Sequence, residues 1–214
     1  MKTDNTLQNV LDFSLDIFFP NRCPCCGDFI AWNVSICDKC KDKLSEYRCN
    51  LNNDIKAAYY YDGIVVDGIY ALKFAGSKNF AKHCVSVLSD SLDEDFDIIV
   101  PVPIGKKRLR KRGYNQAEVI AKYFSDLKNI PVEKNALIRV LETVQHKLTQ
   151  KERIKNAEDS YQIGKTQVSG KRILLVDDVY TTGATSLVCK NMLLSAGASH
   201  VTIAVCAKTY EINN

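Results

Sequence analysis

The sequence predicts an α/β fold with a mainly parallel sheet, preceded by a small cysteine-rich module. Segments with strand character alternate with helical segments along most of the chain, which is typical of parallel α/β domains. Residues 98–100 and 172–176 are short continuous apolar runs, as expected of buried strands. Five of the nine cysteines lie within the eighteen residues 23–40, and this cluster predicts the separate N-terminal module.

The predicted elements follow one another in a regular order. Residues 6–18 carry apolar side chains at helical spacing and predict a short helix, which Pro20 ends. Residues 142–156 are polar, charged and poorly periodic, which predicts a loop or a short helix. We divide the chain into residues 1–50, the helix and cysteine module, and 51–214, the α/β domain. Within that domain we predict strands at 57–61, 98–100, 136–140, 172–176 and 200–207, and helices around 64–74, 78–91, 115–127 and 182–196.

Composition excludes several classes of protein. The chain has 214 residues, 46% of them hydrophobic and 25% charged, with a formal net charge of +4, which is ordinary for a globular protein. No apolar run approaches the roughly 20 residues that span a bilayer, so we expect no membrane insertion. The N-terminus does not fit a secretory signal. An odd number of cysteines, several scattered among apolar residues, favours a reducing cytoplasmic location over a secreted disulfide scaffold.

The cysteine cluster contains two CxxC pairs separated by ten residues. Such pairs each present two thiolates to one metal ion, and four thiolates complete the tetrahedral shell of a structural zinc site. We predict Cys23, Cys26, Cys37 and Cys40 as the ligands, with Cys25 as the alternative in the first pair. The segment is too small to bury a core of its own, so zinc would supply its fold. Free thiols or a redox pair are the competing interpretation.

A second motif follows the apolar run 172–176. Asp177 and Asp178 come directly after it, and the turn that follows is rich in threonine and contains Gly183. A glycine-containing turn at the start of a helix offers backbone N–H groups to an anion. Adjacent carboxylates beside such a turn suit the hydroxyls of a phosphorylated sugar or a Mg²⁺ ion. The motif is not a Walker loop, because no GK[ST] sequence follows the glycine.

Residues 173–185 resemble the 5-phosphoribosyl 1-diphosphate (PRPP) motif of the type I phosphoribosyltransferases at every position. The resemblance implies that Asp177 and Asp178 hold the ribose 2′ and 3′ hydroxyls and that residues 181–185 hold the 5′-phosphate. The PRPP-binding residues it implies are Asp177, Asp178, Val179, Tyr180, Thr181, Thr182, Gly183, Ala184 and Thr185, together with Val102 and Pro103.

A basic run lies after the apolar segment 98–100. Six of its seven residues are cationic: Lys106, Lys107, Arg108, Arg110, Lys111 and Arg112. One interpretation is a clamp for the pyrophosphate of PRPP, in which arginine bonds bidentately. Another is a track for single-stranded nucleic acid, with Tyr114 as a stacking surface. A solvated basic loop is the third.

Nearly the whole chain resembles the ComF/GntX family of competence-type proteins, which are similar to phosphoribosyltransferases. The matching positions are the four cysteines, Pro101-Val102-Pro103, Arg108, Arg112-Gly113-Tyr114-Asn115-Gln116-Ala117, Arg139, Thr143, Gln145, Leu148, Arg153, Asn156 and the PRPP motif. Tyr114 stands where the family often has Phe. The resemblance implies a role with single-stranded DNA in natural transformation, and PRPP, single-stranded DNA and DNA-uptake proteins as partners.

The same resemblance implies a reaction, displacement at C1 of PRPP with Mg²⁺ neutralising the leaving pyrophosphate. Asp177, Asp178, Arg108 and Arg112 would be the catalytic residues. Gln145, Lys147 and Arg153 lie where type I phosphoribosyltransferases carry a flexible loop that closes over the substrate. Three alternatives remain: a non-catalytic PRPP sensor that binds nucleic acid, a salvage enzyme with an unidentified base acceptor, and a zinc-dependent interaction module.

Overall fold

The computed structural model describes residues 21–49, 55–92, 95–141 and 158–210. The predicted helix at 6–18 and the predicted loop at 142–156 lie outside these residues. The described elements are α1 (Asp38–Ser45), β1 (Ile55–Tyr60), α2 (Ile64–Phe74), α3 (Asn79–Ser89), β2 (Ile98–Pro101), α4 (Lys106–Arg112), α5 (Gln116–Lys128), β3 (Leu137–Arg139), β4 (Tyr161–Ile163), β5 (Arg172–Tyr180), α6 (Ala184–Ser195) and β6 (His200–Lys208).

A four-stranded parallel sheet forms the centre of the fold, in the order β1-β6-β5-β2. Tyr60, Lys208 and Tyr180 lie side by side at its carboxyl edge. The backbone of residues 131–133 extends the sheet beyond β2, because Ile99 donates to the Pro131 carbonyl and Glu133 donates to the Ile99 carbonyl, both at 2.9 Å. A separate antiparallel pair, β3 and β4, places Arg139 opposite Tyr161.

The two faces of the sheet bury two hydrophobic cores, because side chains alternate along each strand. In β5, Leu174 and Val176 face one core, while Ile173 and Leu175 face the other. Helices α2, α3 and α5 cover the first core, and α6 with the β3–β4 pair covers the second. Both faces are therefore covered, which explains the continuous apolar runs of β2 and β5.

The cysteine module packs against the first core. Cys23, Ile36, Cys40 and Leu44 belong to the same buried cluster as the side chains of α2 and α3. Backbone bonds also join the two regions: Cys49 donates to the Ala58 carbonyl at 3.2 Å. The division of the chain at residue 50 stays a prediction.

The predicted fold class is confirmed: the chain is a mixed α/β protein with a mainly parallel sheet and a four-cysteine cluster ahead of it. Three local features differ from the sequence prediction or were absent from it. The strand predicted at 172–176 continues to Tyr180, the basic run forms the helix α4, and the three-residue strand β4 was not predicted. Among the described residues, no helix combines the length and hydrophobicity that crossing a membrane needs.

Candidate functional site

A cavity of about 250 Å³ lies at the carboxyl edge of the parallel sheet. Ligands of open α/β sheets bind at this edge, because the loops that follow the strands converge there. Side chains from eight elements or their following loops line it: Tyr61, Lys73, Val102, Pro103, Ile104, Arg108, Arg112, Arg139, Tyr161 and residues 177–186. The cavity therefore joins the acidic pair, the threonine-rich turn and part of the basic run, which are far apart in sequence.

The acidic pair lies within β5 rather than after it. Asp177 is opposite Val205 of β6, and the backbone N–H of Asp178 donates to Oδ1 of Asp177 at 2.8 Å. Nζ of Lys73 forms an ion pair with Oδ1 of Asp178 at 3.1 Å. Burial, and then the adjacent Asp178 carboxylate, raise the pKa of Asp177 to about 7. One carboxyl of the pair is thus held near the midpoint of its titration at neutral pH.

The threonine-rich turn is shaped by Gly183. Its φ of 74° is a left-handed conformation that residues with a Cβ adopt rarely, and a Cβ at this position would clash with the Tyr180 ring. Helix α6 begins at the next residue, and Gly183 gives it no side-chain cap. No side chain therefore caps the N–H groups in the first turn of α6, and this turn lines the cavity. Oγ1 of Thr209 donates to the Thr181 carbonyl at 2.9 Å and joins the turn to the end of β6.

Helix α4 directs two of its six cations toward the cavity. Arg108 and Arg112 are four residues apart, which places them on the same helix face, and both line the cavity. Nη1 of Arg112 donates to Oε1 of the buried Gln116 at 2.7 Å. Burial lowers the pKa of Arg112, while the nearby Asp178 carboxylate raises it. The guanidinium is thus partly desolvated and faces the acidic pair.

A buried asparagine connects α4 and α5 to the cavity wall. Oδ1 of Asn115 accepts from the Ala117 N–H at 3.1 Å, and Nδ2 donates to the Val102 carbonyl at 3.0 Å. The first bond caps α5, and the second fixes the loop after β2. These contacts give a structural role to Asn115, which was noted only through the family resemblance.

The structure does not bring the whole basic run to the cavity. Lys106, Lys107, Arg110 and Lys111 are exposed on α4 and are not among the residues that line it. Tyr114 is half-buried, its hydroxyl donates to the Leu72 carbonyl, and Nζ of Lys78 lies 5.5 Å from its ring centroid. Its ring lines a different groove, so the cavity and Tyr114 are separate features.

Six residues of the cavity wall were not selected as site residues from the sequence: Tyr61, Lys73, Ile104, Arg139, Tyr161 and Ser186. Lys73 is the single cation of α2, and no local pattern marks it. Nη1 of Arg139 donates to the Tyr161 hydroxyl at 2.7 Å, across a strand pair whose second strand was not predicted. Only the position of Arg139 in the family resemblance pointed to it.

The cysteine cluster has the geometry of a tetrahedral metal site. The Sγ atoms of Cys23, Cys26, Cys37 and Cys40 all lie within 4.8 Å of one another, and those of Cys26 and Cys37 are 3.7 Å apart. Zinc bound to four thiolates at about 2.3 Å separates the sulfurs by about 3.8 Å. The four cysteines therefore fit a metal ion such as zinc.

Cys25 is outside this cluster. Its half-buried side chain packs against the first core, and burial raises the pKa of its thiol. Among the described cysteines, the four whose sulfurs lie together are the four predicted ligands, and Cys25 is not one of them. Gln145, Lys147 and Arg153, the predicted flexible-loop residues, lie outside the described part of the chain.

These features define a class: an α/β protein with a polar cavity at the carboxyl edge of a parallel sheet and a four-cysteine module packed beside it. No profile of a known protein family matches the chain. Individual proteins do. Competence protein ComFC of Bacillus subtilis is 28% identical over 180 residues, covering 82% of this chain and 72% of that protein. Competence protein F of Haemophilus influenzae is 27% identical over 187 residues, covering 78% and 82%.

A third relative, DNA utilization protein YhgH of Escherichia coli K12, is 32% identical over 108 residues, covering 50% of this chain and 47% of that protein. The chain is therefore a homologue of competence and DNA-utilization proteins, and the resemblance to the ComF/GntX family is confirmed. Similar solved structures include a purine phosphoribosyltransferase from Pyrococcus horikoshii, with a TM-score of 0.42 and 20% identity over 62% of this chain and 77% of that one. Another is a glutamine PRPP amidotransferase from B. subtilis, with a TM-score of 0.41 and 23% identity over 65% and 27%.

Proposed function

We propose that the cavity binds PRPP and that the protein uses this ligand in handling single-stranded DNA. The observation that carries the PRPP proposal is the convergence of three chemically distinct groups on one cavity. These groups are the acidic pair, the turn at 181–185 and the two arginines of α4. They match the hydroxyls, the 5′-phosphate and the pyrophosphate of a ribose that is phosphorylated at two positions.

Charge supports the same ligand. Four cations line the cavity, Lys73, Arg108, Arg112 and Arg139, against the two carboxylates of Asp177 and Asp178. A polyanion gains from this excess of positive charge, and arginine bonds phosphate oxygens bidentately. Two carboxylates in the same cavity would repel a simple anion, so their presence favours a ligand that carries hydroxyls as well as phosphates.

For each part of PRPP, the cavity wall contains residues of matching chemistry. The uncapped first turn of α6 and the hydroxyls of Thr181, Thr182 and Thr185 suit the 5′-phosphate. Asp177 and Asp178 suit the ribose hydroxyls. Arg108 and Arg112 then face the pyrophosphate beside the Val102–Pro103 backbone. Carboxylate and phosphate oxygens are the ligands that Mg²⁺ prefers, and a bound Mg²⁺ would neutralise pyrophosphate charge.

The reaction class we propose is displacement at C1 of the ribose. The bond from C1 to the pyrophosphate oxygen breaks, its electron pair leaves with pyrophosphate, and a nitrogen of the acceptor forms the new bond to C1 and then loses its proton. Arg108 and Arg112 stabilise the developing negative charge on the leaving group. The acceptor is a base or a single-stranded DNA.

A second candidate function is a PRPP-responsive DNA-binding protein without turnover. The observation that favours it is the position of α4, whose Arg108 and Arg112 line the cavity while Lys106, Lys107, Arg110 and Lys111 lie outside it. One short helix thus borders both the ligand cavity and an exposed basic surface. Ligand in the cavity would act on that surface through the same helix.

Pyrophosphate release separates the two functions. The protein is incubated with PRPP and Mg²⁺ and with a panel of free bases and single-stranded oligonucleotides, and the Asp177→Asn/Asp178→Asn variant is the control. Release that needs one acceptor and disappears in the control identifies a transferase. Binding of PRPP without release identifies the ligand-responsive protein. Absence of PRPP binding in the unmodified chain contradicts both.

A further inference from the structure

Helix α2 carries a stripe of apolar side chains on its outer face. Val66, Tyr70 and Phe74 are spaced four residues apart, so they lie along one side of the helix, and they are 37%, 61% and 50% exposed. The opposite side is buried through Val65, Gly68, Ile69, Ala71 and Leu72. The outer face of a helix on a globular protein is normally polar, and a contiguous exposed apolar surface marks an interaction site.

Two of these side chains form an aromatic pair beside cations. The ring centroids of Tyr70 and Phe74 are 5.0 Å apart at an interplanar angle of 47°. Nζ of Lys111 lies 5.8 Å from the Phe74 ring centroid, and Cζ of Arg112 lies 5.2 Å from it. We refer to these four residues as the aromatic–cation surface. Phe74 is half exposed with both cations in place, so part of its ring stays open to a ligand.

The surface connects two other features of the molecule. At one end, Tyr70 lines a groove beside the cysteine module, together with Arg22, Cys25 and Asp67. At the other end, Phe74 contacts Arg112, which also lines the cavity at the sheet edge. A chain-like ligand lying on the surface would therefore lead from the cysteine module to the cavity.

From this arrangement we infer that the aromatic–cation surface binds single-stranded nucleic acid. Bases stack on Tyr70 and Phe74, while Lys111 and Arg112 contact the adjoining phosphates. Proteins that bind single strands combine aromatic platforms for the bases with cations that follow the backbone, and stacking tolerates any base because every base has a π-face. The exposed cations of the same helix, Lys106 and Arg110 among them, extend the positive surface.

Charge favours nucleic acid over a protein partner. An apolar face of another protein would have to cover Lys111 and Arg112 together with the rings, and taking cations out of water is costly. A phosphate backbone instead pairs with these cations at the moment the bases stack. Asp67 is the acidic member of the adjacent groove.

The inference deepens the DNA-handling part of the proposed function and does not depend on turnover at the cavity. Neither Tyr70 nor Phe74 lines that cavity. Loss of these rings is therefore expected to change DNA binding and leave PRPP binding unchanged, so the two proposals fail separately.

The test compares two labelled probes by fluorescence anisotropy: an oligothymidylate and an abasic oligomer with the same number of phosphates. The unmodified chain is expected to bind the oligothymidylate more tightly, because only that probe stacks. Tyr70→Ala/Phe74→Ala is expected to lose between about 5-fold and 150-fold in oligothymidylate affinity for each base that no longer stacks. Its affinity for the abasic probe is expected to stay nearly constant.

Matched variants keep the test specific. Leu127→Ala removes an equally exposed apolar side chain from α5 and is expected to change nothing. Lys111→Ala is expected to weaken both probes and to flatten the plot of log affinity against log salt by about 0.7, while Lys128→Ala leaves it unchanged. Equal affinity of the unmodified chain for the two probes would overturn the inference. So would an unchanged oligothymidylate affinity in the double aromatic variant, which is the result expected if a protein covers this surface.

Discussion

Asp177 is the residue whose environment says most about the cavity. It lies in a sheet strand, next to a second carboxylate, and its pKa is raised to about 7 by burial and then by Asp178. Asp178 forms an ion pair with Lys73 at 3.1 Å. The two adjacent acids thus have different surroundings, one buried and one paired with a lysine. Carboxyl oxygens can hydrogen-bond the hydroxyls of a sugar.

The raised pKa of Asp177 predicts a pH dependence of stability. Between about pH 4 and pH 7 the folded chain holds a proton on this carboxyl that the unfolded chain has released. The contribution of Asp177 to the free energy of unfolding therefore falls as pH rises through this window, and it is constant below it. Asp177→Asn removes the titration. We expect the free energy of unfolding of the variant, relative to that of the unmodified chain, to be higher at pH 8 than at pH 5.

Urea unfolding at these two pH values measures the effect. The comparison of variant with unmodified chain cancels other titrating groups, and Asp126→Asn, at an exposed ion pair with Lys122, is the matched control. A stability difference between the Asp177→Asn variant and the unmodified chain that does not change with pH would show that the pKa of Asp177 is not raised.

At the scale of an element, α4 places the cations of the basic run on two faces, one toward the cavity and one toward solvent. Helical spacing places Arg108 and Arg112 toward the cavity and leaves Arg110 exposed outside it. We expect Arg108→Ala and Arg112→Ala each to weaken PRPP binding by about 10-fold or more, because each removes a charge-assisted bond to phosphate. Arg110→Ala, with the same loss of charge, is expected to leave PRPP affinity within about 2-fold. Calorimetric titration distinguishes them, and an equal loss from all three variants would contradict the helical arrangement.

The cysteine module predicts a second result at this scale. We expect about one zinc ion per chain by elemental analysis, lost in Cys37→Ser and retained in Cys25→Ala, because Cys25 packs into the core outside the thiol cluster. Loss of the ion is expected to lower the melting temperature, since Cys23 and Cys40 are part of the core that α2 and α3 share. A folded, metal-free chain with an unchanged melting temperature would contradict this prediction.

Sequence patterns predicted the elements whose structure depends on their own side chains rather than on tertiary contacts. The helix at 64–74 has the predicted bounds. The extension of β5 to Tyr180 was missed, since backbone pairing with β6 maintains the strand through two aspartates that have low strand propensity. Helix α4 was missed because six like charges give no apolar period. Lys73 and Arg139 reach the cavity only through tertiary packing, which no local pattern contains.

At the scale of the whole molecule, α2 is the element that all three functional features share. Its Tyr70 and Phe74 belong to the aromatic–cation surface, Tyr70 also borders the cysteine module, and Lys73 near the helix end lines the cavity. The cysteine module and the cavity are therefore parts of one packed structure rather than independent attachments. This continuity is the physical basis for expecting ligand binding and DNA handling to act together.

One calorimetric titration decides whether the cavity binds PRPP. Calorimetry in the presence of Mg²⁺ compares PRPP with ribose 5-phosphate and with pyrophosphate, each of which presents part of the ligand. We predict that PRPP binds more tightly than either fragment and that Asp177→Asn/Asp178→Asn weakens PRPP and ribose 5-phosphate while leaving pyrophosphate nearly unchanged. PRPP that binds no better than pyrophosphate, or equally well to the double variant, would contradict the account of the cavity.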